Sequence, residues 1–166
     1  MLRRGRPLWQ FRAMSDETRR AMLTPKLVDS LYVEAMVLAD EARSYFDVEA
    51  EEDRAAMDPA IRVHFACESL RVTTRLMHVI AWLLTQRAVA SGELSKAQSL
   101  EPDRRLGDAP EGDPRLVREF PDAARALIAA SQELYGRVRR LDRLSSVPPN
   151  TFSPARSLMS RLERAF

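Results

Sequence analysis

The residues best suited to chemistry crowd into one short stretch. His64, Cys67 and Glu68 fall within about one helical turn, and His78 follows further along the same segment. His64 and Glu68, four residues apart, would share one helix face and could offer two ligands to a metal. A catalytic zinc site needs three protein ligands, and no second cluster supplies the third. The di-metal pattern of helical bundles needs a Glu three residues before each His, and neither His64 nor His78 has one. Cys67 beside His64 has the partners of a thiolate, but no third group orients them, and a lone Cys is more often a small buried hydrophobe. No phosphate-binding glycine loop, nucleophile elbow or dinucleotide fingerprint occurs. The sequence therefore points away from an enzyme and calls for no cofactor and no metal.

The elements around this stretch are helical. Glycine is rare, strand-like alternation is absent, and apolar residues recur with a period near 3.6. Thr24 and Pro25 open a first helix as cap and first-turn proline. Leu27, Val28, Leu31, Tyr32, Ala35, Leu38, Ala39, Ala42, Tyr45 and Phe46 form its single apolar face. The stretch 47–58, with six acids against Arg54, reads as a solvated loop, or more pointedly as a docking surface for a basic partner. Asp58 and Pro59 open a second helix that runs to about Ser91, where Gly92 stops it. Residues 92–119, rich in Pro, Gly and Asp, read as a long flexible connection. A third helix spans about 121–145, with Phe120, Ala124, Leu127, Ile128, Ser131, Leu134, Tyr135, Val138 and Leu141 on one face. Ser153 and Pro154 then open a short amphipathic segment carrying Leu158, Met159, Leu162 and Phe166.

On a helical wheel the second helix shows two adjacent apolar seams. One is Ala66, Leu70, Thr73, Met77, Ile80 and Leu84; the other is Phe65, Ser69, Val72, Leu76, Val79 and Leu83. Two seams can serve two neighbours. The expectation is an all-α, antiparallel three-helix bundle over residues 24–145 with a long central helix. A basic arm (1–23) and a C-terminal tail (146–166) flank it, both expected to be flexible. Met14 opens "MSDETRR", which reads as an alternative beginning. The remaining arc of the central helix carries Arg71, Arg75, His78 and Trp82, an expected outer face and the candidate interaction stripe. Trp82 fits it least well. Either it stands exposed beside the arginines as a contact residue, or the 92–119 connection or the arm covers it.

Length and charge narrow the partners. The chain has 166 residues, 45% hydrophobic and 30% charged, with a net charge of +2, so a core is affordable and no global field demands nucleic acid. Of its 26 basic residues all but Lys26 and Lys96 are arginine, which reflects a GC-rich genome before any chemical choice. The single cysteine excludes a disulfide framework. The terminus lacks a signal peptide's apolar core. The longest uncharged apolar run, "MHVIAWLLTQ", falls short of the ~18 residues of a membrane span. A cytoplasmic protein with no membrane partner is expected. The arginines in "YGRVRRLDR" sit where a helix dipole favours cations. Both interhelical connections are too long for a helix-turn-helix, so nucleic acid is not the expected partner.

"ESLRVTTRLMHVIAWLLTQRAVASGEL", preceded by "EARSYFD" and followed by "LYGRVRRLDRL", resembles the alphaproteobacterial regulators of CtrA degradation (RcdA-like proteins) over roughly residues 25–145. The resemblance implies a dimeric three-helix bundle without catalysis that serves as an adaptor for the ClpXP protease. In that family the adaptor joins a protease primed by the response regulator CpdR and delivers cell-cycle substrates such as CtrA. Some members also bind the cyclic-di-GMP effector PopA. The family's C-terminal tail is implicated in binding, which would give that role to residues 146–166. Self-association is expected through an exposed part of the central helix or its ends, Trp82 included. The alternative is a helical protein that binds DNA or a membrane surface through its arginine-rich segments.

Overall fold

The computed structural model describes residues 23–146. The arm through residue 22 and the tail from residue 147, with Leu158, Met159, Leu162 and Phe166, lie outside the described residues. The elements are α1 (Pro25–Ser44), a π-helical turn (Tyr45–Glu49), α2 (Glu51–Ala56), α3 (Pro59–Ala90), α4 (Lys96–Ser99), a 3-10 turn (Pro102–Arg104), α5 (Pro114–Val117) and α6 (Asp122–Ser146). No strand occurs among the described residues. The expected all-α bundle, with α1, α3 and α6 as its three long helices, is present.

The helix ends follow local chemistry. Thr24 Oγ1 accepts from the Leu27 amide at 3.2 Å, and Pro25 fills the first turn, where no amide is needed. Asp58 stands at the N-cap of α3 but makes no capping hydrogen bond. At the far end Gly92 takes a φ of +81°, the left-handed turn that lets the chain leave α3. At 32 residues α3 is about 48 Å long.

The 47–58 stretch is not a loop. The chain continues from α1 through the π-turn into α2. Tyr45 donates to Asp53 at 2.9 Å, and Arg54 donates to the Phe46 carbonyl. These bonds fold the turn against the bundle while Asp47, Glu49, Glu51 and Glu52 stay in water.

The direction of α6 follows from who meets whom. Phe46 packs on Phe65 and Asp29 pairs with Arg87, so α1 and α3 are antiparallel. Phe65 meets Phe120, Arg75 meets Ser131 and Trp82 meets Asp142, so α6 runs parallel to α3 rather than against it. It is antiparallel to α1, where Glu34 meets Arg137. A return trip along the whole of α3 is therefore needed, and the long connection makes it. That stretch is an ordered strap, not a free linker: Arg105 sits at Asp142, Gly107 at His78, and Gly112 at Glu68.

One end of the bundle is closed by aromatic rings. Tyr45, Phe46, Phe65 and Phe120 form a chain of edge-to-face contacts with centroids 5.1, 5.4 and 5.3 Å apart. Each such pair contributes ~0.5–1.5 kcal/mol beyond area burial. The seam Phe65, Val72, Leu76, Val79 and Leu83 is buried as its spacing predicts, with Ser69 half-buried.

Candidate functional site

The expected outer face of the central helix is turned inward. Trp82 is 2% exposed and Arg75 1%. His78 is half-buried and Arg71 keeps part of its surface in water. The structure does set the four along one line, but that line is a seam beneath α6 and the strap. The physical reason is that its two fully buried members, Arg75 and Trp82, each find a hydrogen-bond partner on a distant segment, which offsets part of the penalty of leaving water. Trp82 Nε1 donates to Asp142 Oδ1 at 2.7 Å. Arg105 grips the same carboxylate from the strap through Nε and Nη2, each at 2.7 Å. Asp142 thus joins three segments, and its hydrogen bonds to Arg105 raise that guanidinium's pKa. Trp82 is covered by α6 and the strap, so it is removed from the interaction surface.

Further along α3, Arg75 Nη1 donates to Ser131 Oγ at 3.1 Å, and the Ser131 hydroxyl in turn donates to the Ile128 carbonyl at 2.8 Å. Burial lowers the Arg75 pKa, and the Glu68 carboxylate acts against that fall. Glu68 lies between two arginines, 2.7 Å from Arg71 Nη1 and 3.8 Å from Arg75 Nη2. Glu68 Oε2, Arg75 Nη2 and His78 Nδ1 are buried without a hydrogen-bond partner among the described residues. Gly112 crosses directly over Glu68, and Gly107 presses on the His78 ring while its carbonyl accepts from Tyr135 at 2.8 Å. Beside this network a cleft of about 300 Å³ opens between His64, Glu68, Arg71, Asp113, Leu116 and Phe120. Among the described residues no three metal-ligating side chains converge, here or elsewhere.

The seam expected to be buried on the other side of α3 is instead the open one. Val63, Leu70, Met77 and Leu84 are 62, 67, 64 and 46% exposed. They recur every seven residues, so they form one stripe along the helix. Ile80 is half-buried beside them. The spacing was visible in the sequence, but it does not say whether a stripe faces its own core or solvent. The partners Asp142, Arg105 and Ser131 also escaped sequence reasoning. Two signals were present: Asp142 is the lone acid in "RVRRLDR", and Ser131 interrupts an apolar row.

Elsewhere, Arg139, Arg140 and Arg143 are exposed and form no ion pair among the described residues. No described helix is long and apolar enough to cross a membrane.

Residues 19–166 match the family described as Protein of unknown function (DUF1465). No curated protein matches the chain. Among solved structures, the chain is similar to RcdA from Caulobacter crescentus CB15 at 35% identity. The match covers 70% of this chain and 88% of that one, with a TM-score of 0.57.

Proposed function

The chain belongs to the DUF1465 family and is an RcdA-like protein; from that premise we propose that it is a non-enzymatic adaptor in regulated proteolysis. Its role is to deliver CtrA-like cell-cycle regulators to the ClpXP protease, in company with a CpdR-like response regulator. The observation that carries this reading is the extent of the similarity to RcdA, which takes in most of that chain rather than a fragment. The surface of the bundle adds support. Large apolar side chains stand in a row in water on a rigid helix, and such patches mark contact sites. A rigid bundle with a tail raises the effective concentration of a weakly held substrate at the protease. The test is reconstitution with ClpXP, the response regulator and CtrA. A substrate half-life that is the same with and without this protein overturns the adaptor reading.

Self-association belongs to the same reading. An evenly spaced stripe reads alike from either end, so a second copy related by a two-fold axis presents the same residues back. Val63, Leu70, Met77 and Leu84 supply that pattern on α3, and Trp82 has no part in it. A second function, binding to DNA or an anionic membrane surface, draws on Arg139, Arg140 and Arg143, which form no ion pair among the described residues. It requires a steep fall in binding to random duplex or anionic vesicles as salt rises.

A further inference from the structure

A second surface lies between α1 and α6, away from the stripe on α3. A groove of about 320 Å³ runs there over an apolar floor of Val37, Leu38 and Ala130. Val37 is 53% exposed, although it sits at the centre of this floor. The rim is acidic: Glu34, Glu41 and Glu133 line it, and among the described residues only Glu34 is neutralised, by Arg137. An apolar floor between acidic lips suits an amphipathic helix whose polar side is basic.

This chain carries such a segment. Residues 154–166, "PARSLMSRLERAF", place Leu158, Met159, Leu162 and Phe166 at helical spacing. The remaining positions hold Arg156, Arg161 and Arg164 against one acid, Glu163. An isolated helix of this length is marginal in water and needs a surface to fold on.

The path also fits. The described chain ends at Ser146, the last residue of α6, and α6 is itself one wall of the groove. Arg137 and Ala130 lie roughly 14 and 24 Å back along α6 at 1.5 Å per residue. Residues 147–153 suffice to reverse direction. A helix over 154–166 would then run about 20 Å back along the groove, bringing its second half, with Arg161 and Arg164, toward Glu41 and Glu133.

We propose that the groove between α1 and α6 is the docking site of this chain's own C-terminal segment, residues 154–166. It is held by Leu158, Leu162 and Phe166 on the apolar floor and by arginines on the acidic rim. The proposal does not rest on the adaptor reading.

The test is paramagnetic broadening in the full-length chain. A nitroxide is placed on Ser160→Cys in a Cys67→Ser background, with the same molecule isotope-labelled. Loss of amide signals at Val37, Glu41, Ala130 and Glu133, and not at Leu70, Met77 or Leu84, is the expected result. Those signals return in Leu162→Asp and in the double reversal Glu41→Arg/Glu133→Arg. The variants alter only exposed rim positions or the tail, so the bundle stays folded. Broadening spread over all faces, centred on the α3 stripe, or unchanged by both variants overturns the proposal. So does equal broadening when labelled molecules are mixed with unlabelled spin-carrying ones, because the tail would then be docking on a second copy.

Discussion

Asp142 is the residue on which α3, α6 and the strap converge, and replacing it with alanine should be costly. Three bonds of 2.7 Å are lost: one from Trp82 Nε1 and two from Arg105. The indole N–H is left in a site where Trp82 is 2% exposed; stranding a buried donor costs about 1–3 kcal/mol. Breaking a fully buried ion pair costs about 3–5 kcal/mol. The Arg105 side chain is 28% exposed and can turn toward water, so only about 1–2 kcal/mol is taken for its release. The sum is roughly 2–5 kcal/mol. For a chain of this size that lowers Tm by about 5–15 °C. Asp142→Asn keeps an acceptor for the indole and should lose less than Asp142→Ala. Trp82→Phe in the Asp142→Ala background removes the stranded donor, so the two changes together should cost less than their sum. Chemical denaturation of five proteins, wild type, the three single variants and the double variant, measures all of this. Two results refute the reasoning: an Asp142→Ala protein within about 0.5 kcal/mol of wild type, the range of an unremarkable surface change, or full additivity with Trp82→Phe.

Tyr45 offers a pH test: burial first, and then its hydrogen bond to Asp53, push its pKa up to about 12 from 10.0. Its contribution is complete below pH 10, where the unfolded tyrosine is still protonated, and is lost as pH rises toward 12. Tm should therefore fall more steeply between pH 10 and 12 in wild type than in Tyr45→Phe, and parallel curves would contradict this. A Cβ on Gly112 would overlap the Glu68 carboxylate, so Gly112→Ala should cost about 1–3 kcal/mol through overpacking, with accelerated amide exchange in the strap; an unchanged melt would show that the strap yields freely. Light scattering should give a dimer for wild type and a monomer for Met77→Glu with unchanged helical circular dichroism. A monomeric wild type at micromolar concentration, or a dimeric Met77→Glu, removes the α3 stripe as the interface.

The helices themselves were legible because their causes are local. The spacing of Val28, Leu31, Ala35 and Leu38, the Thr24–Pro25 start and the Gly92 stop each depend on residues a turn apart. The resemblance to regulators of CtrA degradation was legible too, in the long motif through Trp82. Three features were not. The acidic 47–58 stretch is helical because Tyr45 and Arg54 bond across the turn. The 92–119 segment is ordered because two glycines let it lie flat on His78 and Glu68. The exposed and buried arcs of α3 are exchanged relative to a reading by apolarity.

That exchange has one physical source. Periodicity ranks faces by hydrocarbon, so Leu70, Met77 and Leu84 count as core while Arg75 and Glu68 count as surface. A polar group's cost of burial depends on its partner, and the partners of Arg75 and Trp82 lie 56 and 60 residues away, at Ser131 and Asp142. By itself the sequence determined where the helices lie and which residues recur along them. Only the tertiary structure decided which way α6 runs, and hence that Trp82 meets Asp142 and the apolar stripe is left facing water.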